Sequence, residues 1–257
     1  MRARKRFGQN FLTDRAVITR IVATMKPTPT DRVIEIGPGR GALTALLLES
    51  GCHLEAIEID RDLIALLHES LPELNVIEAD ALKFDFGMAL SQGPVRIVGN
   101  LPYNISTPLL FRLFAEQGIT DMHFMLQKEV VERMTAEPGT RAYGRLSVMT
   151  RYYCEATPLF SVPPTAFTPR PKVTSAIVRL RPRRHDPAAQ DTNVLASLLI
   201  DAFSQRRKTL RNALGKHLSE QELASLGIDP GVRPETLSVT DYVNCANLVT
   251  ERKSEAQ

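Results

Sequence analysis

The chain has 257 residues, 43% of them hydrophobic, with a formal net charge of +3 and three cysteines far apart. That length accommodates one large domain, or a large and a small one, around a substantial core. No apolar run approaches the roughly 18 residues of a membrane helix, the basic start "MRARKRFGQNFL" lacks the apolar stretch of a signal peptide, and Cys52, Cys154 and Cys245 with five scattered histidines offer neither a disulfide framework nor a metal site.

The first predicted element is a helix capped by Thr13, with Ile18, Ile21, Val22 and Met25 on one face. "KPTPT" ends it. Strands and helices then alternate: "RVIEIG", "GALTALLLESG", "HLEAIEID", "RDLIALLHESL", "NVIEAD" and "VRIVGN". Thr107 and Pro108 read as N-cap and N1 of the helix "PLLFRLFAE", before the strand "DMHFMLQ" and the helix "KEVVERMTA". Such alternation predicts an α/β fold, a parallel sheet with helices on both faces that binds ligands at its carboxyl ends. Further on, "LSVMTRYYCEATPLF" reads as helix into strand, "VPPTAFTPRPKV" as a loop and "VTSAIVRLRP" as a strand. After the linker "RPRRHDPAAQD" all signals are helical, including a capping box of Ser219 and Glu222. The expected organisation is a domain over 1–184, with a basic arm at 1–12, and a small all-α domain over 185–257.

Two basic clusters stand out. Arg2, Arg4, Lys5 and Arg6 precede any acid, and Arg206, Arg207, Lys208, Arg211 and Lys216 lie in an acid-free stretch. Each suits either a solvated face or contact with phosphates.

Three motifs carry ligand chemistry. In "EIGPGRG", Gly37, Gly39 and Gly41 sit at a strand-to-helix turn, spaced differently from the dinucleotide fingerprint. Glu58 ends the next strand, about 20 residues on, where a carboxylate can hold a ribose diol; Asp60 beside it suits a helix N-cap. Asp80 ends the third strand and could accept from an adenine amine. With Glu35, these acids would repel a pyrophosphate but suit a cationic, adenosine-bearing ligand, S-adenosylmethionine rather than a nicotinamide dinucleotide.

The fourth strand runs into "NLPYNIST". An exocyclic adenine amine is a poor nucleophile because its lone pair is delocalised into the ring. Two acceptors on its N–H bonds would align it and make it more amine-like. The Asn100 side-chain oxygen and the Leu101 carbonyl are the candidates, with Pro102 setting the backbone and Tyr103 offering a stacking ring. The competing reading is an ordinary Asn-x-Pro turn.

Taken together, "EIGPGRG", "IEID", "EADA", "NLPYNISTPLL" and "FTPRPKVTSAIVRL" resemble the rRNA adenine N6-dimethyltransferase family. "QNFL" and "FSQRRKTLRNAL" are most similar to its bacterial small-subunit branch. The resemblance spans about Arg6 to Asn247. It implies a class I, Rossmann-like methyltransferase fold that uses S-adenosylmethionine to dimethylate two adjacent adenosines. These lie in the 3′-terminal hairpin loop of 16S rRNA, in an immature 30S subunit. It also implies a cytoplasmic monomer with neither membrane nor metal partner. By position, Asn10 and Leu12 would contact the methionine part of the cofactor, Gly37 and Gly39 its pocket, Glu58 the ribose and Asp80 the adenine. Asn100, Leu101, Pro102 and Tyr103 would hold the target base, with Asn100 also near the cofactor, and Phe167 would pack on that base from another side. Arg4, Lys5, Arg6, Arg206, Arg207, Lys208 and Arg211 would meet RNA. The rivals are a large-subunit enzyme of the erythromycin-resistance type, which usually reads Asn-Ile-Pro-Tyr, and a non-catalytic RNA-binding assembly factor.

Overall fold

The computed structural model describes residues 9–204 and 207–255. The elements in chain order are β1 (Phe11–Leu12), α1 (Arg15–Met25), β2 (Arg32–Ile36), α2 (Ala42–Glu49), β3 (His53–Glu58), α3 (Arg61–Ser70) and β4 (Asn75–Glu78). Then come α4 (Phe86–Leu90), β5 (Val95–Asn100), α5 (Ser106–Phe114), β6 (Ile119–Gln127), α6 (Lys128–Thr135), α7 (Arg145–Tyr153), β7 (Cys154–Val162), β8 (Phe167–Thr168) and β9 (Ser175–Pro182). The rest is helical: α8 (Thr192–Ser204), α9 (Leu210–Ala213), α10 (Glu220–Ser225) and α11 (Val239–Glu255). No described helix is long and apolar enough to cross a membrane.

Seven strands form one sheet in the order β4-β3-β2-β5-β6-β9-β7. The five from β4 to β6 pair in parallel, while β9 runs antiparallel to β6, so the expected parallel sheet is mixed at that side. The inner strands are buried along most of their length, as an open sheet covered on both faces requires. Near its amino ends Arg96 bridges Asp31 and Asp121, each at 2.9 Å, and donates to the Met25 carbonyl at the end of α1. Burial alone would raise the Asp121 carboxyl, but His123 and Arg96 outweigh it and hold it at about 2.

Two helix starts differ from the sequence reading. Asp14, not Thr13, caps α1, its carboxylate accepting from the amides of Ala16 and Val17; Thr13 instead donates to the Ala166 carbonyl. Helix α5 begins at Ser106, with Ile105 in the cap position and Pro108 inside the first turn. The turn after Asn100, closed by the Ile105 amide on the Pro102 carbonyl, starts the helix early. Pro108 is tolerated because first-turn amides need no helical partner. The proline-rich loop also holds an extra strand, β8, which pairs antiparallel with β1.

Contacts divide the chain into two compact units, one of 1–131 and 156–182, the other of 132–155 and 183–257. A single division after 184, which the sequence suggests, would group 132–155 with the residues of the sheet. Those residues join the helical unit because Val148, Met149 and Tyr152 of α7 are buried and Tyr143 packs edge-on against Phe203 of α8. Phe203 in turn lies against Tyr242 of α11, whose hydroxyl donates to the Pro234 carbonyl. Tyr242, Ala246 and Val249 share the buried face of α11.

Candidate active site

The site lies in the sheet-containing unit, where β2, β3, β4 and β5 end. A cavity of about 230 Å³ opens there. Its floor is the turn after β2, where Gly37 and Gly39 take φ of +68° and +61°, values that side-chain-bearing residues rarely adopt. A Cβ on Gly39 would also stand 3.2 Å from the Phe11 ring. Close approach recurs at Gly99, where a Cβ would lie 2.5 Å from the Ile36 carbonyl oxygen of the neighbouring strand. No local pattern in the sequence marks Gly99 for this task, because only the packing of β5 on β2 reveals it.

Glu58 ends β3 and is 7% exposed. One carboxylate oxygen accepts from the amides of Ile59 and Asp60, both at 2.9 Å, and the other faces the Gly39 amide at 3.4 Å. Burial pushes its pKa up, against the pull of those amides. Glu35 is deeper, at 1% exposure, and accepts from the Thr44 hydroxyl at 2.7 Å. Burial, with Glu58 nearby, raises its carboxyl to about 7 despite that hydrogen bond. Two buried acids lining one cavity constitute a site with affinity for positive charge.

Asp80 lies two residues beyond β4 rather than at its end. Its Oδ1 accepts from the Leu82 amide at 2.9 Å and its backbone carbonyl from Lys83 and Phe84, giving a tight loop along the cavity wall. From α5, Arg112 reaches over this loop to the carbonyls of Ala81 and Phe84.

The segment before α1 forms a further part of the wall. Gln9, Asn10, Phe11 and Leu12 all line the cavity. Gln9 donates to Asp60 at 3.0 Å, and the Arg40 guanidinium lies 4.5 Å from the Phe11 ring centre. Asp60 also caps α3, as expected. In the sequence, Gln9 and Phe11 are signalled by the "QNFL" string alone, and Arg40 by nothing beyond its place in the glycine turn.

The turn "NLPY" completes the rim. Asn100, Leu101, Pro102 and Tyr103 line the cavity beside Asn10. The Asn100 amide nitrogen donates to the Asn10 carbonyl at 3.0 Å, which settles the orientation of its side-chain oxygen. The Leu101 amide donates to Met125 on β6 at 3.2 Å, holding the turn to the sheet. Thus Asn10, Leu12, Gly37, Gly39, Glu58, Asp80, Asn100, Leu101, Pro102 and Tyr103 all line this one cavity.

Phe167 is the exception. It is 2% exposed, packs in the apolar cluster with Leu12, Met125 and Ile177, and does not line the cavity. It pairs with Leu12 of β1, and in this structure it is a core residue. Of the basic residues, Arg4, Lys5, Arg6 and Arg206 lie outside the described residues. Arg207, Lys208 and Arg211 are exposed in the helical unit, and Arg211 pairs with Glu220 at 3.6 Å.

A sheet of this order, with a glycine turn, a buried acid pair and an amide-bearing turn at the carboxyl ends of adjacent strands, defines a methyltransferase of the Rossmann-like α/β class. Comparison with known proteins narrows this. The family model described as ribosomal RNA adenine dimethylase matches residues 1–251, and the chain belongs to that family. It is 53% identical over 254 residues to ribosomal RNA small subunit methyltransferase A of Marinobacter nauticus, covering 97% of this chain and 92% of that one. It is 55% identical over 260 residues to the protein of the same name from Aromatoleum aromaticum, covering 99% and 97%. Among solved structures, a dimethyladenosine transferase from Plasmodium falciparum superposes with a TM-score of 0.78 at 27% identity, over 95% of this chain and 98% of that one. The 23S rRNA methyltransferase ErmE does so at 0.71 and 28%, over 94% and 100%.

Proposed function

We propose that the chain dimethylates N6 of two adjacent adenosines in the 3′-terminal hairpin loop of 16S rRNA, within an immature small subunit, using S-adenosylmethionine. The observation that carries this reading is the Asn100 amide, tied through its nitrogen to Asn10 at the rim of a cavity that holds two buried acids.

The cavity residues fit that cofactor. Glu35 and Glu58 favour a positive ligand, Glu58 lies where a ribose diol can be held, and Asp80 faces the cavity with one carboxylate oxygen already on Leu82 and another to offer an adenine amine. Asn10 and Leu12 would border the methionine part. When bound, the cofactor supplies an electrophilic methyl group on a sulfonium.

The chain's own part is to place the nucleophile. The Asn100 side-chain oxygen and the Leu101 carbonyl each accept one N–H of the target amine. This orients its lone pair and concentrates electron density on nitrogen. Pro102 restricts the backbone that aims the carbonyl, and the Tyr103 ring supports the base extruded from its RNA stack. The proton lost on methylation is strongly acidic, so no titrating base is needed. The exposed Arg207, Lys208 and Arg211 would meet rRNA phosphates, as would Arg4, Lys5, Arg6 and Arg206.

The test is to incubate the protein and labelled cofactor separately with immature 30S particles, naked 16S rRNA, 50S particles and DNA, and to map the label. Label on two adjacent 16S adenosines is expected. Label in 50S rRNA would favour the large-subunit activity, and cofactor binding without transfer to any substrate would favour a non-catalytic assembly factor.

A further inference from the structure

We propose that Ser175 is a positioning residue for Tyr103: its buried hydroxyl holds the phenol and sets the plane on which the target adenine stacks. This rests on the adenine N6 reading above and concerns the platform beneath the base.

Ser175 is fully buried and opens β9, paired in register with Gln127 at the carboxyl end of β6. Its strand is anchored there, because the Lys128 amide donates to the Thr174 carbonyl at 2.9 Å. The Ser175 hydroxyl lies 2.9 Å from the Tyr103 hydroxyl, across 72 residues of sequence. At its other end, Tyr103 is held by its backbone. The Ile105 amide closes the turn on Pro102 at 3.1 Å, and the Ser106 hydroxyl donates to the Tyr103 carbonyl at 3.2 Å.

Backbone anchoring alone leaves a tyrosine ring two side-chain torsions to explore. A hydrogen bond at the far end of the ring removes that freedom before the base arrives, so less order is lost when stacking occurs. The phenol also gives a hydroxyl buried on β9 its polar partner. The half-buried ring, lining the cavity rim, keeps its surface for the base.

The test is a double-mutant cycle on the full chain: wild type, S175A, Y103F and S175A/Y103F. Each is measured for kcat and KM on the rRNA substrate and for cofactor affinity by calorimetry. Each is also measured for quenching of 2-aminopurine placed at the target adenosine, which reports stacking directly. Both single variants should lower kcat/KM for RNA by about 3- to 10-fold, mainly through KM, the scale of one neutral hydrogen bond. Both should weaken the quenching and leave cofactor affinity within about twofold, and the double variant should be no worse than the poorer single one. Y103F loses only one oxygen from a half-buried ring, so it keeps the result readable if S175A folds poorly. Quenching and kcat/KM at wild-type level in Y103F, or effects that multiply in the double variant, would overturn the role of Ser175. Failure of the wild type itself to label rRNA adenosines would overturn the functional reading instead.

Discussion

Asn100 has two tasks on one amide. Its nitrogen is committed to the Asn10 carbonyl, and in the proposed reaction its oxygen accepts from the target amine. Replacement by alanine removes one acceptor and, by analogy with the loss of an oxyanion-hole donor, should cost about 3–4 kcal/mol in the transition state. N100D keeps an acceptor but sets a carboxylate against a carbonyl where a donor stood. Single-turnover transfer by N100D should therefore be at least as slow as by N100A, with cofactor affinity also reduced because the Asn10 wall is no longer held; near-normal turnover in either variant would refute the assignment. Glu35 makes a second prediction. Its folded pKa, about 7, exceeds the ordinary 4.5 because it is buried. Its contribution to stability is thus complete below about 4.5 and lost as pH rises through 7, since the unfolded chain releases that proton more readily. E35Q should flatten the fall in unliganded stability between about pH 5 and 8, an effect of roughly 2–3 kcal/mol visible in urea titrations. An unchanged pH profile would show that Glu35 is not the group responsible.

At the scale of elements, most helices and strands follow from hydrophobic period and punctuation. The differences arise where a distant partner intervened. Asp14 outcompetes Thr13 as the cap of α1 because Thr13 is drawn to Ala166. Strand β8 exists because β1 is there to pair with it, and Phe167 on that strand lies in the core. The Arg112 clasp joins α5 to the Asp80 loop in the same way, with one side chain meeting two backbone carbonyls far off in sequence. R112A should loosen that loop and weaken cofactor binding by roughly tenfold, as expected for losing about 1.4 kcal/mol of charged hydrogen bonding. Calorimetry with adenosine and with methionine separates the cause. Adenosine binding should suffer and methionine binding should not, whereas equal losses would point to general unfolding.

For the whole molecule, the helical unit carries exposed Arg207, Lys208 and Arg211. If these meet phosphates, the R207A/K208A/R211A variant should bind rRNA less tightly and with a shallower salt dependence. The slope of log K against log salt should fall in magnitude by roughly 2 between about 50 and about 200 mM, given about 0.7 per contact on single strands. An unchanged slope in filter binding would remove these residues from the RNA path. Although Asp80 falls just past β4, the alternation of strands and helices, the acid at the end of β3, the glycine turn and the amide turn are legible in the sequence alone. Each is local: a period, a spacing or a cap within a few residues. Long-range packing alone shows that β9 runs antiparallel to β6, that 132–155 groups with the helical unit and that Gly99 must lack a side chain. It alone also decided that Asn10 orients Asn100, and that Ser175 meets Tyr103. Those are pairings between segments tens of residues apart. They form because buried polar groups must find partners wherever the packed core leaves them, and no local pattern encodes where that is.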